Sequence, residues 1–116
     1  MLFIQYPSCT TCKKAKKWLD EHGLVYEDRH IKEHKPTYEE LKVWQEKSGL
    51  SLKKFFNASG LAYKSLNLKE KLPTMTEEEQ LRLLATDGML VKRPLLVTED
   101  TVLVGFQEIR WEEALL

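Results

Sequence analysis

Cysteine is scarce in this 116-residue chain, which carries only Cys9 and Cys12. Two are too few for a small secreted scaffold stapled by disulfides. An excess of one charge is also lacking, because eighteen Lys and Arg offset eighteen Asp and Glu. A strong phosphate binder needs a net basic footprint, so direct nucleic-acid binding is not expected. No long run of like charge suggests an acidic or basic tail. No apolar run approaches the roughly 20 residues that span a bilayer, which argues against a membrane protein. The segment from Met1 to Ile4 meets charge soon after Cys12, leaving no secretory h-region and cleavage site, so a cytoplasmic location is expected. There is no glycine-rich phosphate loop, and no Ser-His-Asp arrangement is detectable by spacing. The length suits one domain, here 1–116.

The pattern that remains is mixed α/β. Leu2 to Tyr6 reads as a short buried strand that Pro7-Ser8 ends. Ala15, Trp18, Leu19 and His22 then share one helix face, with Gly23 placed to stop the helix. Leu24-Val25-Tyr26 is the expected second strand, which makes a βαβ unit and implies a parallel pair. The middle reads as helical. Thr37 with Glu40, and Thr76 with Glu79, fit capping boxes, and Gly49 and Asp87-Gly88 fit helix stops. Short helices are expected over Ser51–Phe56 and Leu61–Leu66. Leu95-Leu96-Val97 and Val102-Leu103-Val104 read as a β-hairpin, followed by a helix turning Trp111, Ala114 and Leu115 inward. The expected order is βαβ, a helical insertion at about 36–88, then ββα, with the sheet core from 1–30 and 90–116. Trp18, Trp44, Trp111 and Phe55-Phe56 are expected in the core.

Cys9-Thr10-Thr11-Cys12 falls between the first strand and the first helix. Free amides and the helix dipole stabilise negative charge at a helix N-terminus, so a thiol there ionises more readily. The thiolate is the nucleophile in disulfide exchange. Cys9, at the end of the loop, is therefore the expected attacking thiol. Cys12, in the first turn, is the expected resolving thiol. Two other readings stand beside this one. Both cysteines can be unreactive, with Cys12 buried as a small hydrophobe. Alternatively, His30 and His34 complete a C-x2-C, seventeen-residue, H-x3-H pattern. That gap exceeds the 12–15 or so usual for a zinc finger, and an amphipathic helix fills it. No metal site is expected.

Tyr6 to Ala15 resembles the start of the family of glutaredoxin-type arsenate reductases (ArsC) and Spx regulators. Asp87-Gly88-Met89-Leu90-Val91-Lys92-Arg93-Pro94-Leu95-Leu96-Val97 resembles its second signature, an Arg-Pro before a strand. Val104-Gly105-Phe106 fits its end. The resemblance implies a thioredoxin-like fold with an all-helical insertion and a cis Arg93-Pro94 bond. It also implies that Arg93 is the charged side chain nearest the Cys9 thiolate and that Pro94 shapes the substrate groove.

The resemblance allows three outcomes. One is a thiol-disulfide oxidoreductase that draws on glutathione, glutaredoxin or thioredoxin as thiol donor and needs no resident cofactor. A second is a regulator switched by its C-x-x-C pair, binding the α subunit of RNA polymerase in a stress response. Ser8-Cys9-Thr10-Thr11-Cys12 leans that way, and Gly49 lies near the glycine that Spx uses at the polymerase contact, although Ser48-Gly49-Leu50 equally reads as a helix terminator. The chain ends at Leu116, where Spx regulators carry a charged tail. The third is an arsenate reductase, which in this family holds its oxyanion with three arginines. Only Arg93 matches here. Asn57 stands at the second position as the expected substrate-binding residue, and Gly105-Phe106 supplies no basic residue at the third. Lys92 is a nearby source of positive charge.

Overall fold

A computed structural model describes residues 1–116. Four strands form one sheet in the order β2-β1-β3-β4: β1 (Leu2–Gln5), β2 (Glu27–His30), β3 (Leu95–Val97) and β4 (Val102–Val104). β1 runs parallel to β2 and antiparallel to β3, and β3 pairs antiparallel with β4. The parallel pair needs a crossover, supplied by helix α1 (Thr10–Glu21). Between β2 and β3 lie α2 (Tyr38–Ser48), α3 (Leu61–Ser65), α4 (Leu68–Lys71) and α5 (Glu77–Leu84), with 3-10 turns between them, and α6 (Glu108–Leu115) closes the chain. This is the thioredoxin-like arrangement that the resemblance implied. No helix is long and apolar enough to cross a membrane.

The period of two along the strands divides the core. Leu2, Ile4, Leu95, Val97, Val102 and Val104 face the insertion, where they pack with Leu41, Trp44, Phe55, Phe56 and Leu84. Phe3, Leu96 and Leu103 face the other way, against Ala15, Trp18, Leu19 and Trp111 of α1 and α6. The capping boxes form as their sequences require. Thr37 and Thr76 each accept from the amide three residues on, and Glu40 and Glu79 return the bond. Gly23 and Gly49 take the left-handed conformation, at φ 64° and 69°, that ends α1 and α2.

Three expectations need correction. The second strand is Glu27–His30, and Leu24-Val25-Tyr26 only leads into it; Val25 is 87% exposed. β2 is an edge strand, so its charged residues can face water while its backbone pairs with β1, and an apolar run is no guide to it. Leu24 and Tyr26 instead pack on the α1 side of the core. Ala114 is exposed, so α6 turns inward through Trp111 and the half-buried Leu115. His22 is likewise exposed and lies against the Trp18 ring, with centroids 4.2 Å apart.

Candidate active site

Strand register brings the site together. Ile4 on β1 lies opposite Leu95 on β3, and Gln5 lies opposite His30 on β2. Continuing one residue past Ile4 along each partner sets Gln5 beside Pro94, and another sets Tyr6 beside Arg93. The Arg93-Pro94 bond is cis, as the resemblance implied. Pro94 is buried, and its carbonyl accepts the Gly105 amide at 2.8 Å, which ties this corner to the end of β4. The segment ahead of it is held by the insertion. Phe56 bridges Val91, the Lys92 amide donates to the Phe55 carbonyl at 2.7 Å, and the Asn57 amide donates to the Leu90 carbonyl at 2.8 Å.

Cys9 is the N-cap of α1, in extended conformation at φ −78° and ψ 125°. Its amide donates to the Tyr6 carbonyl at 3.0 Å, and its carbonyl accepts the Lys13 amide at 3.0 Å, so the backbone is fixed on both sides. The first turn of α1 holds no acidic residue to oppose a thiolate. Partial burial pushes the Cys9 thiol up, but the amides of Cys12 and Thr11, the Cys12 thiol and the Arg93 guanidinium together bring it below its ordinary value. The neutral thiol makes no capping hydrogen bond of ordinary geometry. These amides therefore act chiefly on the charged form, as a helix N-terminus does.

Cys12 has the opposite environment. It is fully buried, and its sulfur accepts the Tyr6 amide at 3.5 Å. Burial, opposed by that amide and reinforced by the neighbouring Cys9, pushes the thiol up to about 12. Both cysteines are free thiols. One pair of identical residues, three positions apart, is thus split into an ionisable, partly exposed thiol and a buried protonated one.

Arg93 is half-buried. Its guanidinium carbon lies 5.3 Å from the centre of the Tyr6 ring, and one terminal nitrogen donates to the Met89 carbonyl at 3.5 Å. Its Nε is buried without a partner, and no carboxylate pairs with it. Asn57 turns back on its own loop. Its Oδ1 accepts from the Ser59 hydroxyl at 3.3 Å, and a side chain on Gly60 would sit 2.7 Å from its Nδ2. The Lys92 chain lies along Gly105, which adopts φ +73°. The structure therefore gathers Cys9, Cys12, Arg93 and Pro94 in one corner. Asn57 is joined to that corner through the backbone ladder to Leu90.

His30 is not free to complete a finger. Its Nδ1 accepts the Lys32 and Glu33 amides, both at 3.2 Å, and no three His, Cys, Asp or Glu side chains gather into a metal-holding group. Lys16 reaches Asp28 at 3.3 Å and the Tyr26 hydroxyl at 2.9 Å, and Lys17 pairs with Glu21 at 3.7 Å. Sequence reasoning missed Tyr6, which contacts all three polar members of the site. The two strand registers that bring its neighbours together cannot be read from its local sequence.

Comparisons with known proteins agree with this geometry. The family model described as "ArsC family" matches residues 4–114. The uncharacterized protein YusI of Bacillus subtilis (strain 168) is 59% identical over 113 residues, covering 97% of this chain and 96% of YusI. The regulatory protein MgsR of the same strain is 34% identical over 106 residues, covering 91% of this chain and 82% of MgsR. The crystal structure of an ArsC-family-related protein from Bacteroides fragilis superposes with a TM-score of 0.95 at 62% identity, covering 97% of this chain and 94% of that one. With a family model spanning nearly the whole chain, and a site built where that family's signatures fall, this chain belongs to the ArsC family.

Proposed function

We propose that the chain is a small thiol-disulfide oxidoreductase of the cytoplasm, with Cys9 as nucleophile and Cys12 as resolving thiol. The observation that carries this reading is the placement of the two sulfurs, Cys9 partly exposed at the N-cap of α1 and Cys12 fully buried one turn on, which brings the first thiol below its ordinary value and pushes the second up. The Cys9 thiolate attacks one sulfur of a substrate disulfide. A mixed disulfide forms on Cys9 as the substrate S–S bond breaks, and the other substrate sulfur leaves as a thiolate. Cys9 is then uncharged and no longer raises Cys12 through its charge, so Cys12 loses its proton more readily. The Cys12 thiolate attacks the Cys9 sulfur, the Cys9–Cys12 disulfide closes, and the second substrate thiolate departs. Two electrons pass from the pair to the substrate. A thiol donor of the glutathione, glutaredoxin or thioredoxin class returns them.

Arg93 stabilises the Cys9 thiolate and the departing one, because a guanidinium beside a sulfur anion offsets its charge. In this reading Pro94 shapes the substrate groove beside Cys9, and Asn57 offers polar contact from the insertion. Arsenate reduction is the weaker reading. An arsenate-like anion needs several fixed positive donors, and this site has Arg93 alone, with Lys92 exposed beside Gly105.

A second reading is favoured by the similarity to the regulatory protein MgsR. The same pair then acts as a redox switch that alters binding to a protein such as the RNA polymerase α subunit. A disulfide at the α1 N-terminus would remove the thiolate and reshape the first turn. Trapping separates the readings. With a disulfide substrate, Cys9→Ser should abolish turnover when a thiol donor is supplied, and Cys12→Ser should accumulate substrate on Cys9 when the donor is withheld. Redox-dependent capture of the α subunit with no turnover of any disulfide would favour the switch. Accumulation on Cys12 in the Cys9→Ser variant would overturn the assigned roles.

A further inference from the structure

Tyr6 contacts every polar member of the site without being one of the reacting groups. Its carbonyl accepts the Cys9 amide at 3.0 Å, its amide donates to the Cys12 sulfur at 3.5 Å, and its ring lies under the Arg93 guanidinium at 5.3 Å. The two strand registers explain why. β1 is central in the sheet, so a residue just beyond its end is flanked by the ends of both neighbouring strands. On the β3 side that neighbour is Arg93. On the β2 side His30, paired with Gln5 at the last register position, lies diagonally next to it, and its ring meets the Tyr6 ring edge-on at 5.6 Å and 90°. His30 is held in turn by the two backbone amides that its Nδ1 accepts.

Arg93 needs such a support. It has no carboxylate partner, its Nε is buried and unpaired, and its hydrogen bond to Met89 is long at 3.5 Å. An arginine at a nucleophile has to be aimed without being neutralised. A carboxylate would aim it and cancel its charge, whereas an aromatic face aims it and leaves the charge free. We propose that Tyr6 is a positioning residue: its ring face, braced by His30, holds the Arg93 guanidinium toward the Cys9 sulfur. This rests on the reading that Arg93 assists Cys9.

The test titrates the Cys9 thiolate by its ultraviolet absorbance in the full chain, where Cys12 ionises far higher, at about 12. Tyr6→Phe and Tyr6→Trp keep an aromatic face and should leave the Cys9 midpoint in place. Tyr6→Leu should raise it by about half a pH unit, the scale of one cation–π contact. Arg93→Ala should raise it at least as far, and adding Tyr6→Leu to Arg93→Ala should change nothing more. If Tyr6→Leu fails to fold, Tyr6→Met replaces it. A midpoint that moves with Arg93→Ala but not with loss of the aromatic face overturns the Tyr6 proposal and leaves the Arg93 reading standing. So does a Tyr6 effect that persists without Arg93. A midpoint indifferent to Arg93→Ala overturns the Arg93 reading itself, and the Tyr6 proposal with it.

Discussion

Limited alkylation near pH 7 offers a quantitative prediction from the two thiol environments. Cys12 is pushed up to about 12 from an ordinary value of 9.0, which cuts its thiolate fraction about a thousandfold relative to an unperturbed thiol. A more basic thiolate is intrinsically a better nucleophile. With a Brønsted slope of about 0.4–0.5, that returns roughly a factor of 15–30. The net handicap is about thirtyfold or more before the burial of Cys12 is counted. Cys9 lies below 9.0 and is partly exposed, so its side of the ratio only widens the gap. Iodoacetamide added at less than one equivalent to the reduced protein, followed by peptide mass spectrometry, should therefore place more than about nine-tenths of the label on Cys9. Labelling of the two within threefold of each other, or Cys12 first, would refute the assignment of distinct environments. In Cys9→Ser, Cys12 should alkylate somewhat faster than in the parent. The charge and hydrogen bond that Cys9 contributes are then gone, while burial remains.

Two further predictions concern the frame around the site. A Cβ on Gly88 would lie 1.9 Å from the Ile31 carbonyl oxygen, a backbone atom that cannot swing aside, so Gly88→Ala should cost at least about 3 kcal/mol and lower Tm by about 10 °C or more; a shift under about 2 °C would mean that the close approach is not there. The Arg29 guanidinium, aided by the Thr37 amide and opposed by partial burial, holds the Glu40 carboxyl below its usual range. A depressed carboxylate stabilises the fold above its unfolded pKa of about 4.3 and loses that stabilisation as pH falls through the folded value. Urea melts should show Glu40→Gln destabilising by about 1 kcal/mol at pH 7 and by progressively less below about pH 4. A cost that does not change with pH would contradict the pairing.

Much of this was legible because local signals agreed with the final fold. Thr37-Glu40 and Thr76-Glu79 cap helices by contacts within one turn, and Gly23 and Gly49 stop helices by their own conformation. The cysteine pair was legible for a similar reason, since a strand-to-helix junction makes Cys9 an N-cap whatever packs around it. What was not legible depended on distant partners. Glu27–His30 forms a strand because β1 offers it an edge, although nothing in its side chains resembles a strand. Lys16 prefers Asp28 and Tyr26 across the β2 side to Asp20 on its own helix. Tyr6 gains its neighbours from the β1–β2 and β1–β3 registers, which bring His30 and Arg93 from far along the chain. The Asn57 Oδ1 accepts the Ser59 hydroxyl within its own loop, a contact that the local sequence does not announce.

The central claim is that Cys9 and Cys12 form one two-electron couple. Its most direct test is a redox titration of the purified chain across about −320 to −120 mV, with free thiols trapped and counted at each step. The account predicts a single transition in which both thiols disappear together into an intramolecular Cys9–Cys12 disulfide, with the steepness of a two-electron couple. Thiols that stay reduced across the whole range, or that vanish one at a time, would contradict it.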